Sequence, residues 1–436
     1  MSNSIARTSV VSSAEFVERE AYAKVTLRLV PLLFLSYVVA FLDRINVGFA
    51  KLQMLSDLHF SEVTYGLGAG IFFLGYVLCE VPSNIIQHRV GARRWISRIM
   101  ITWGLLSAAT MFVKTPAMFY GLRFLLGVAE AGFLPGIVLY MTYWYPAHRR
   151  GKIMALFFAA VPASGLIGGP LSGWILESLS GVHGLAGWQW LFVLEALPSI
   201  VLGVVVLTVL PDRIQDASWL LPKAKKILTE NIEADAHDKH EIKLRKIFSD
   251  SRVLTLAGIY FCATTGGYGI SFWLPSIVKA TGVVSPLDIG LLTAIPFLSA
   301  IACMVFISRS ADALRERKWH LVGTMSIGVA GLVCSIHFGS STVGSIVALS
   351  IAAVGVYSAF PIFWSLPTAF LTGVGAAAAI AFITSVGNIG GFVSSYLIGW
   401  VKQFSGSTDL AMLMLAGIYV VGVVLTLTVP ARLVNK

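Results

Sequence analysis

A series of long apolar stretches, each about long enough to cross a bilayer, constrains this chain most strongly. A membrane-spanning helix needs about 20 mostly apolar residues. Only 12% of the 436 residues are charged. A transmembrane β-barrel would show short segments of alternating hydrophobicity instead. The sequence therefore predicts an all-α membrane protein with twelve spans, at residues 28–50, 64–87, 95–113, 116–144, 153–177, 188–210, 254–278, 287–308, 319–338, 342–370, 375–401 and 409–431.

The positions of the basic residues predict the orientation of the chain. The formal net charge of +10 could suggest a nucleic-acid partner, but the basic residues fall in alternate loops. With both termini on one side, 26 of the 32 lysines and arginines lie on that side and two lie within spans. The other side holds only Lys51, Lys114, Lys279 and Lys402. Because positive loops are typically cytoplasmic, we predict cytoplasmic termini and a lipid bilayer, rather than a nucleic acid, as the partner.

Other features exclude several function classes. The first 25 residues are polar and carry acids, so they resemble neither a signal nor a transit peptide, and we expect the first span to insert by itself. The four cysteines lie in predicted spans without CxxC spacing, which argues against disulfides and a metal site. No nucleophile with a base, metal cluster or phosphate loop is evident in the sequence. We therefore expect a protein that is not an enzyme and has no cofactor.

The chain divides into two hydrophobic blocks of six spans each. A polar stretch of about forty residues separates them. The predicted parts are a cytoplasmic N-terminal segment 1–27, a first bundle 28–210, a linker 211–253 and a second bundle 254–432. Apolar residues at helical spacing in 220–232 favour a helix on the membrane surface, and a solvated connector is the equally weighted alternative.

Two loops of the chain echo one another. Residues 84–94 read NIIQHRVGARR, and residues 308–318 read SRSADALRERK. Both resemble the pattern G-x-x-x-D-[RK]-x-G-x-[RK]-[RK], which the major facilitator superfamily carries at these two loops. The resemblance implies two six-helix halves and a charge latch between them on the cytoplasmic side. The matching residues are His88, where Asp is usual, with Arg89, Gly91, Arg93, Arg94 and, in the second copy, Asp312.

Further motifs narrow the resemblance. FLDRINVGFA in span 1, RFLLGVAEAGFLPG in span 4, ISFWLP in span 7 and FWSLPTAFL in span 10 are similar to the anion:cation symporter family. That family includes bacterial proton symporters of sugar acids, tartrate and aromatic carboxylates. The resemblance implies a multi-pass protein of the bacterial inner membrane.

Four charges lie within the spans of the first half. Asp43 and Arg44 are in span 1, and Arg123 and Glu130 are two turns apart on one face of span 4. Asp43 lies about 22 Å along the helix from Arg28. A charge at the bilayer centre costs roughly 2.5–3.5 kcal/mol on insertion scales, so these residues should face one another or a wet cavity. Buried salt bridges that only fix helix packing are the alternative, although such pairs stabilise poorly.

The functional interpretation divides the four charges into two roles. The fork of an arginine matches a carboxylate in two hydrogen bonds, so the arginines would bind an anion. The carboxylates would bind the coupling proton, because burial favours their neutral form and a nearby arginine favours the ionised form. The resemblance implies proton coupling at Asp43 and Glu130, substrate contact at Arg44, and a partnership of Arg123 with Glu130.

Other residues complete the predicted site. Two further intramembrane acids are Glu80, which could pair with basic loop residues, and Glu195, interpreted as structural and near the cytoplasmic charges. Each aromatic residue at the site could instead be a packing residue. The predicted substrate-site walls are Tyr76, Tyr268, Trp273, Trp364 and Asn388.

The sequence thus predicts a monomeric, proton-coupled importer of a small organic carboxylate. Two alternatives remain open. One is a proton-driven drug or metabolite exporter of the same superfamily, which two arginines in the cavity disfavour. The other is a membrane sensor that binds the anion without moving it.

Overall fold

The structure is a computed structural model that describes residues 2–146, 149, 153–154, 157–237, 250–339, 341–370 and 373–431. The first half contains α1 (Ser2–Leu58), α2 (Glu62–Val90), α3 (Ala92–Ala109), α4 (Pro116–Glu130), α5 (Phe133–Thr142), α6 (Ala160–Ser178) and α7 (Gly187–Val209). The linker contributes α8 (Pro222–His237). The second half contains α9 (Ser251–Ala280), α10 (Pro286–Ala313), α11 (Lys318–His337), α12 (Thr342–Phe370), α13 (Gly373–Ser405) and α14 (Asp409–Thr428).

The all-helical prediction is confirmed, and the described residues contain no strand. Eleven spans in the described parts of the chain are long and apolar enough to cross a membrane. Span 5 begins at residues that are described only in part, and α6 forms the rest of it. The main differences are that α1 continues far beyond the predicted span at both ends, and that span 4 is broken into α4 and α5.

The break in span 4 follows from its sequence. Gly132 has a φ of +85°, in the left-handed region that favours glycine. A Cβ atom at Gly132 would lie 2.3 Å from the hydroxyl oxygen of Ser83, so the close approach of α2 also requires glycine. As a result, Glu130 is the last residue of α4.

The helices pack as two groups that meet across a central interface. In the first half α3 packs on α7 and α2 on α4, and in the second half α12 and α14 pack on α11. Among the described residues, the most extensive contacts between the halves are those of α1 with α9, α2 with α13, and α6 with α10. Small residues allow the last pair to approach, since a Cβ on Gly290 would lie 2.2 Å from the carbonyl oxygen of Gly169. Residues 238–249 of the predicted linker and residue 432, the predicted end of the second bundle, lie outside the described residues.

Linker helix α8 packs against the protein. Leu228 is completely buried, and the Asn231 side chain donates to the Tyr22 hydroxyl oxygen of α1 at 3.3 Å. Leu221, just before the helix, is exposed. The helix is therefore neither a free connector nor held only by lipid, because one face is fixed to the extended start of α1.

We name the two ends of the bundle after the predicted orientation: the inner end carries residues 88–94, and the outer end carries residues 58–62. At the outer end the halves touch through backbone. A Cβ on Gly48 of α1 would lie 2.8 Å from the carbonyl oxygen of Phe272 in α9, and one on Gly66 of α2 would lie 2.6 Å from that of Ser395 in α13. The outer end is thus closed in this conformation.

The contact between α2 and α4 gives a test of the packing. A Cβ on Gly127 would lie 1.9 Å from the carbonyl oxygen of Phe72, whereas a Cβ on Gly121 in the same helix meets nothing within 4 Å. Gly127→Ala should therefore destabilise the protein by about 1–3 kcal/mol, the usual cost of overpacking. Gly121→Ala is the matched control and should be neutral or slightly stabilising. Thermal unfolding of the two purified variants measures the difference, and equal midpoints would contradict the described packing.

Candidate functional site

The centre of the site is an ion pair between α1 and α4. An Arg44 Nη donates to a Glu130 carboxylate oxygen, and the two side chains are only 7% and 2% exposed. Glu130 ends its helix, where the backbone carbonyls carry partial negative charge. That end disfavours a second negative charge, so the Glu130 carboxylate depends on Arg44 and, at longer range, on Arg123 for electrostatic stabilisation.

Arg44 also contacts the second half. Its other Nη donates to the hydroxyl oxygen of Tyr268 in α9 at 2.6 Å. The guanidinium carbon lies 4.7 Å from the ring centre of Phe41 and 5.4 Å from that of Tyr76. A cation over aromatic faces is attracted by the ring quadrupole. Arg44 therefore joins Glu130 of one half to Tyr268 of the other inside an aromatic enclosure.

Arg123 is buried but does not pair with Glu130. Its Nε donates to the carbonyl oxygen of Gly68 at 3.3 Å, and neither Nη has a hydrogen-bond partner within the described part of the chain. The predicted Arg123–Glu130 partnership is thus not a direct contact, although the two charges are within electrostatic range of one another. The two residues share a face of α4, but Arg44 occupies the position beside the carboxylate.

Asp43 faces away from this pair. Its carboxylate accepts hydrogen bonds from Trp103 Nε1 and the Ser107 hydroxyl of α3, each at 3.0 Å, and from the Ser199 hydroxyl of α7. Consecutive residues of a helix point about 100° apart, so Asp43 and Arg44 reach different neighbours. The expectation that all four charges share one chamber is corrected: Asp43 lies in the interior of the first half.

The other predicted wall residues occupy three places. Tyr76 and Tyr268 surround Arg44. Trp364 lies further toward the inner end, where its ring stacks 5.9 Å from that of Phe158 across the two halves. Asn388 contacts the Glu80 carboxylate.

Trp273 does not belong to this group. It is completely buried near the outer end, and its ring lies edge-on to Tyr65 at 5.3 Å. In this conformation Trp273 is therefore separate from the residues around Arg44, and its contact with substrate stays a prediction. The sequence placed it one residue from Phe272 in an aromatic motif, but the direction of a ring depends on neighbours that the motif does not contain.

Comparison with known proteins identifies the family. Residues 33–395 match the model of the Major Facilitator Superfamily. The chain belongs to the Major Facilitator Superfamily.

Several relatives of this transporter carry transporter names. It is 48% identical to the putative metabolite transport protein NicT of Pseudomonas putida over 98% of this chain and 99% of that protein. It is 46% identical to a putative tartrate transporter of Agrobacterium vitis over 94% of this chain and 95% of that protein. It is 41% identical to a quinolone resistance transporter of Acinetobacter baumannii, over 95% and 96% of the two chains.

Solved structures support the same fold. The Escherichia coli xylose transporter XylE, in a partially occluded inward-open conformation, matches with a TM-score of 0.71 at 14% identity, over 93% of this chain and 98% of that chain. A bacterial homologue of the lysosomal transporter Spinster also matches with a TM-score of 0.71, at 14% identity, over 92% and 95% of the chains. The expected major facilitator fold is thus confirmed.

The transporter has a buried contact between its halves at Glu80, for which the sequence predicted a different partner. Glu80 of α2 is 2% exposed, and its carboxylate accepts from the Ser385 hydroxyl of α13 at 3.1 Å. It does not pair with the basic loop as expected. A glutamate within an apolar run marked the position, but only the α2–α13 contact identifies its partner.

A second charge contact, the outer charge cluster, consists of Lys51, Glu62, Trp273 and Lys402. The Glu62 carboxylate lies 2.6 Å from Lys51 Nζ and 2.8 Å from Lys402 Nζ. Lys51 Nζ also lies 3.6 Å from the centre of the Trp273 ring. Because α1 and α2 supply Lys51 and Glu62, while α9 and α13 supply the other two, the cluster joins the halves at the outer end.

The loop motif engages its own half rather than the second one. Gly91 has a φ of +96°, and the Asp212 carboxylate beyond α7 accepts from the backbone N–H of Arg93 at 2.8 Å. Asp212 thus caps the start of α3. His88, Arg89, Arg94 and, in the second copy, Asp312 are exposed. The expected latch between the halves is therefore not the arrangement of this conformation.

The outer charge cluster predicts a conformational effect. Glu62→Gln removes the anion that Lys51 and Lys402 share. The free energy that favours the closed over the open outer end should therefore fall by at least about 1 kcal/mol, which raises the population of the open form roughly fivefold. The test uses a variant without the native cysteines and with Ser395 replaced by cysteine. A membrane-impermeant maleimide should label this cysteine about fivefold faster when Glu62→Gln is also present. Glu20→Gln, which disrupts an exposed pair with Lys24, is the control. Unchanged labelling in Glu62→Gln would show that the cluster does not hold this end closed.

Proposed function

We propose that this transporter is a proton-coupled symporter that imports a small organic carboxylate anion across the bacterial inner membrane. The carrying observation is a pair of buried arginines. Arg44 lies between the halves and is balanced by a protonatable Glu130, and Arg123 in the first half has two Nη groups without a hydrogen-bond partner among the described residues. The relative named as a putative tartrate transporter supports an organic acid as the substrate class. We further propose a monomer with cytoplasmic termini and no cofactor.

The proposed mechanism begins with anion binding. A substrate carboxylate is a better match for the free Nη groups of Arg123 than a neutral molecule, because each guanidinium fork can donate two parallel hydrogen bonds to it. The same anion competes with Glu130 for Arg44. Once Arg44 turns to the substrate, Glu130 is left with negative charge in a buried position beside the end of α4.

Protonation then completes the loaded state. A buried carboxylate without a cation is costly. Glu130 therefore takes up a proton when the substrate replaces it as the partner of Arg44. Arg44 is also hydrogen-bonded to Tyr268 of the second half. Movement of its guanidinium therefore changes a contact between the halves, which links occupancy of the site to the rocking that alternating access requires.

Drug export is the second candidate function, because a relative is named a quinolone resistance transporter. Quinolones carry a carboxylate as well as an amine, so such a cargo could also use the arginines. The two functions differ in the direction of coupling. An exporter moves cargo against the entering proton, and an importer moves cargo with it.

Reconstituted vesicles of defined orientation test the proposal. Under an inward proton gradient, radiolabelled tartrate, a sugar acid or an aromatic carboxylate should accumulate inside, and a protonophore should abolish the accumulation. Efflux of a quinolone driven by the same gradient, without uptake of any of these acids, would favour the exporter. Absence of any proton-dependent flux would reject both coupled functions.

Arg44→Lys tests recognition of the carboxylate. The substitution retains the charge but removes the planar fork, so the affinity for the transported acid should fall by about tenfold or more. Arg28→Lys, which also replaces an arginine of α1 but at the start of predicted span 1, away from Arg44, is the control. Isothermal titration gives both affinities. Wild-type affinity in Arg44→Lys would exclude bidentate contact with the substrate.

A further inference from the structure

Glu195 is a buried carboxyl group that the mechanism above does not use. It lies on α7 and is 1% exposed. One carboxylate oxygen accepts from the Ser172 hydroxyl of α6 at 2.6 Å, and the other has no hydrogen-bond partner within the described part of the chain. The sequence interpretation placed it near the cytoplasmic charges, but it lies nearer the outer end of α7.

Glu195 shares the α1–α7 interface with Asp43. Ser199, one turn after Glu195, donates to Asp43. Asn46, nearly one turn after Asp43, lies beside Glu195. The two carboxyl groups are close enough to interact electrostatically. Residues one turn apart lie on the same face of a helix, so both helices present acid to the same interface.

No described side chain brings a positive charge to Glu195, whereas Asp43 is within electrostatic range of Arg123 and Glu130 of α4. Asp43 and the amide of Asn46 face Glu195 from α1, and the Ser172 hydroxyl faces it from α6. From α3, Trp103 and Ser107 face Asp43. Arg44, the nearest arginine in sequence, points instead to Glu130 and Tyr268.

Two carboxyl groups in one dry interface cannot both be ionised at low cost, so ionisation of one favours protonation of the other. Their donors divide the roles. Asp43 receives three hydrogen bonds, which favour its carboxylate form, and Glu195 receives one. Glu195 is therefore the member of the pair that holds the proton when Asp43 is ionised.

We propose that Glu195 is a second proton-binding site, which is coupled electrostatically to Asp43 across the α1–α7 interface and is separate from the Arg44–Glu130 pair. Loss of that proton would place two negative charges between α1 and α7 and would favour a different packing of α1, the helix that carries Arg44. The site thus supplies a coupling proton bound apart from the substrate, and its part in transport rests on the proposed symport.

Infrared difference spectroscopy of the purified full chain tests proton binding without requiring transport. A pH titration of the wild type should show the C=O stretch of a buried protonated carboxyl group. Glu195→Gln should lose that band, whereas Glu230→Gln, at an exposed position on α8, should retain it. Glu195→Asp keeps a titratable group and should show a shifted band. Identical bands in the wild type and Glu195→Gln would overturn the proposal.

Transport assays test the role of the site in coupling. Glu195→Gln should exchange substrate across vesicles within about twofold of the wild type, while accumulation driven by the proton gradient should fall at least about tenfold and lose its pH dependence. Glu195→Asp should restore part of both. Gradient-driven accumulation equal to wild type in Glu195→Gln would overturn the coupling role. If the wild type accumulates no anion, the symport proposal fails, and the infrared result still decides whether Glu195 binds a proton.

Discussion

The guanidinium of Arg44 is the interaction on which the rest of the site depends. It is a permanent charge in a buried position, and the chain stabilises it with one carboxylate, one phenol and several aromatic faces. The carboxylate belongs to the first half and the phenol to the second. Any anion that attracts this guanidinium therefore disturbs an ion pair and a contact between the halves together, which is the coupling that a symporter requires.

Two further polar contacts lie away from Arg44, one at the closed outer end and one nearer the inner end. The outer charge cluster brings together Lys51, Glu62 and Lys402 at one end, and Glu80 reaches Ser385 nearer the other. Both contacts join the halves, but the first is built from ions and the second from a carboxylate and a neutral hydroxyl. Since breaking an ion pair leaves a charge to be solvated, the two ends differ in what opening them costs.

The sequence predicted well how deep in the membrane each charged residue lies, but it predicted poorly which neighbour each side chain faces. Hydrophobic runs located the spans, and insertion cost marked Asp43, Arg44, Arg123 and Glu130 as residues that require a reason to be buried. The sequence did not predict that Asp43 faces Trp103 or that the Trp273 ring packs against Lys51. Position along a helix follows from the chain itself, but the residue that a side chain meets depends on which helices pack together, and one sequence does not give that pairing.

Proton uptake on substrate binding tests the central claim most directly. Purified protein in weakly buffered solution is mixed with tartrate, or with whichever acid the uptake assay identifies, and a pH indicator records the proton balance. Displacement of Glu130 from Arg44 predicts uptake of about one proton per bound anion in the wild type, and much less in Glu130→Gln at matched occupancy. Binding without proton uptake in the wild type, or equal uptake in the two proteins, would contradict the account.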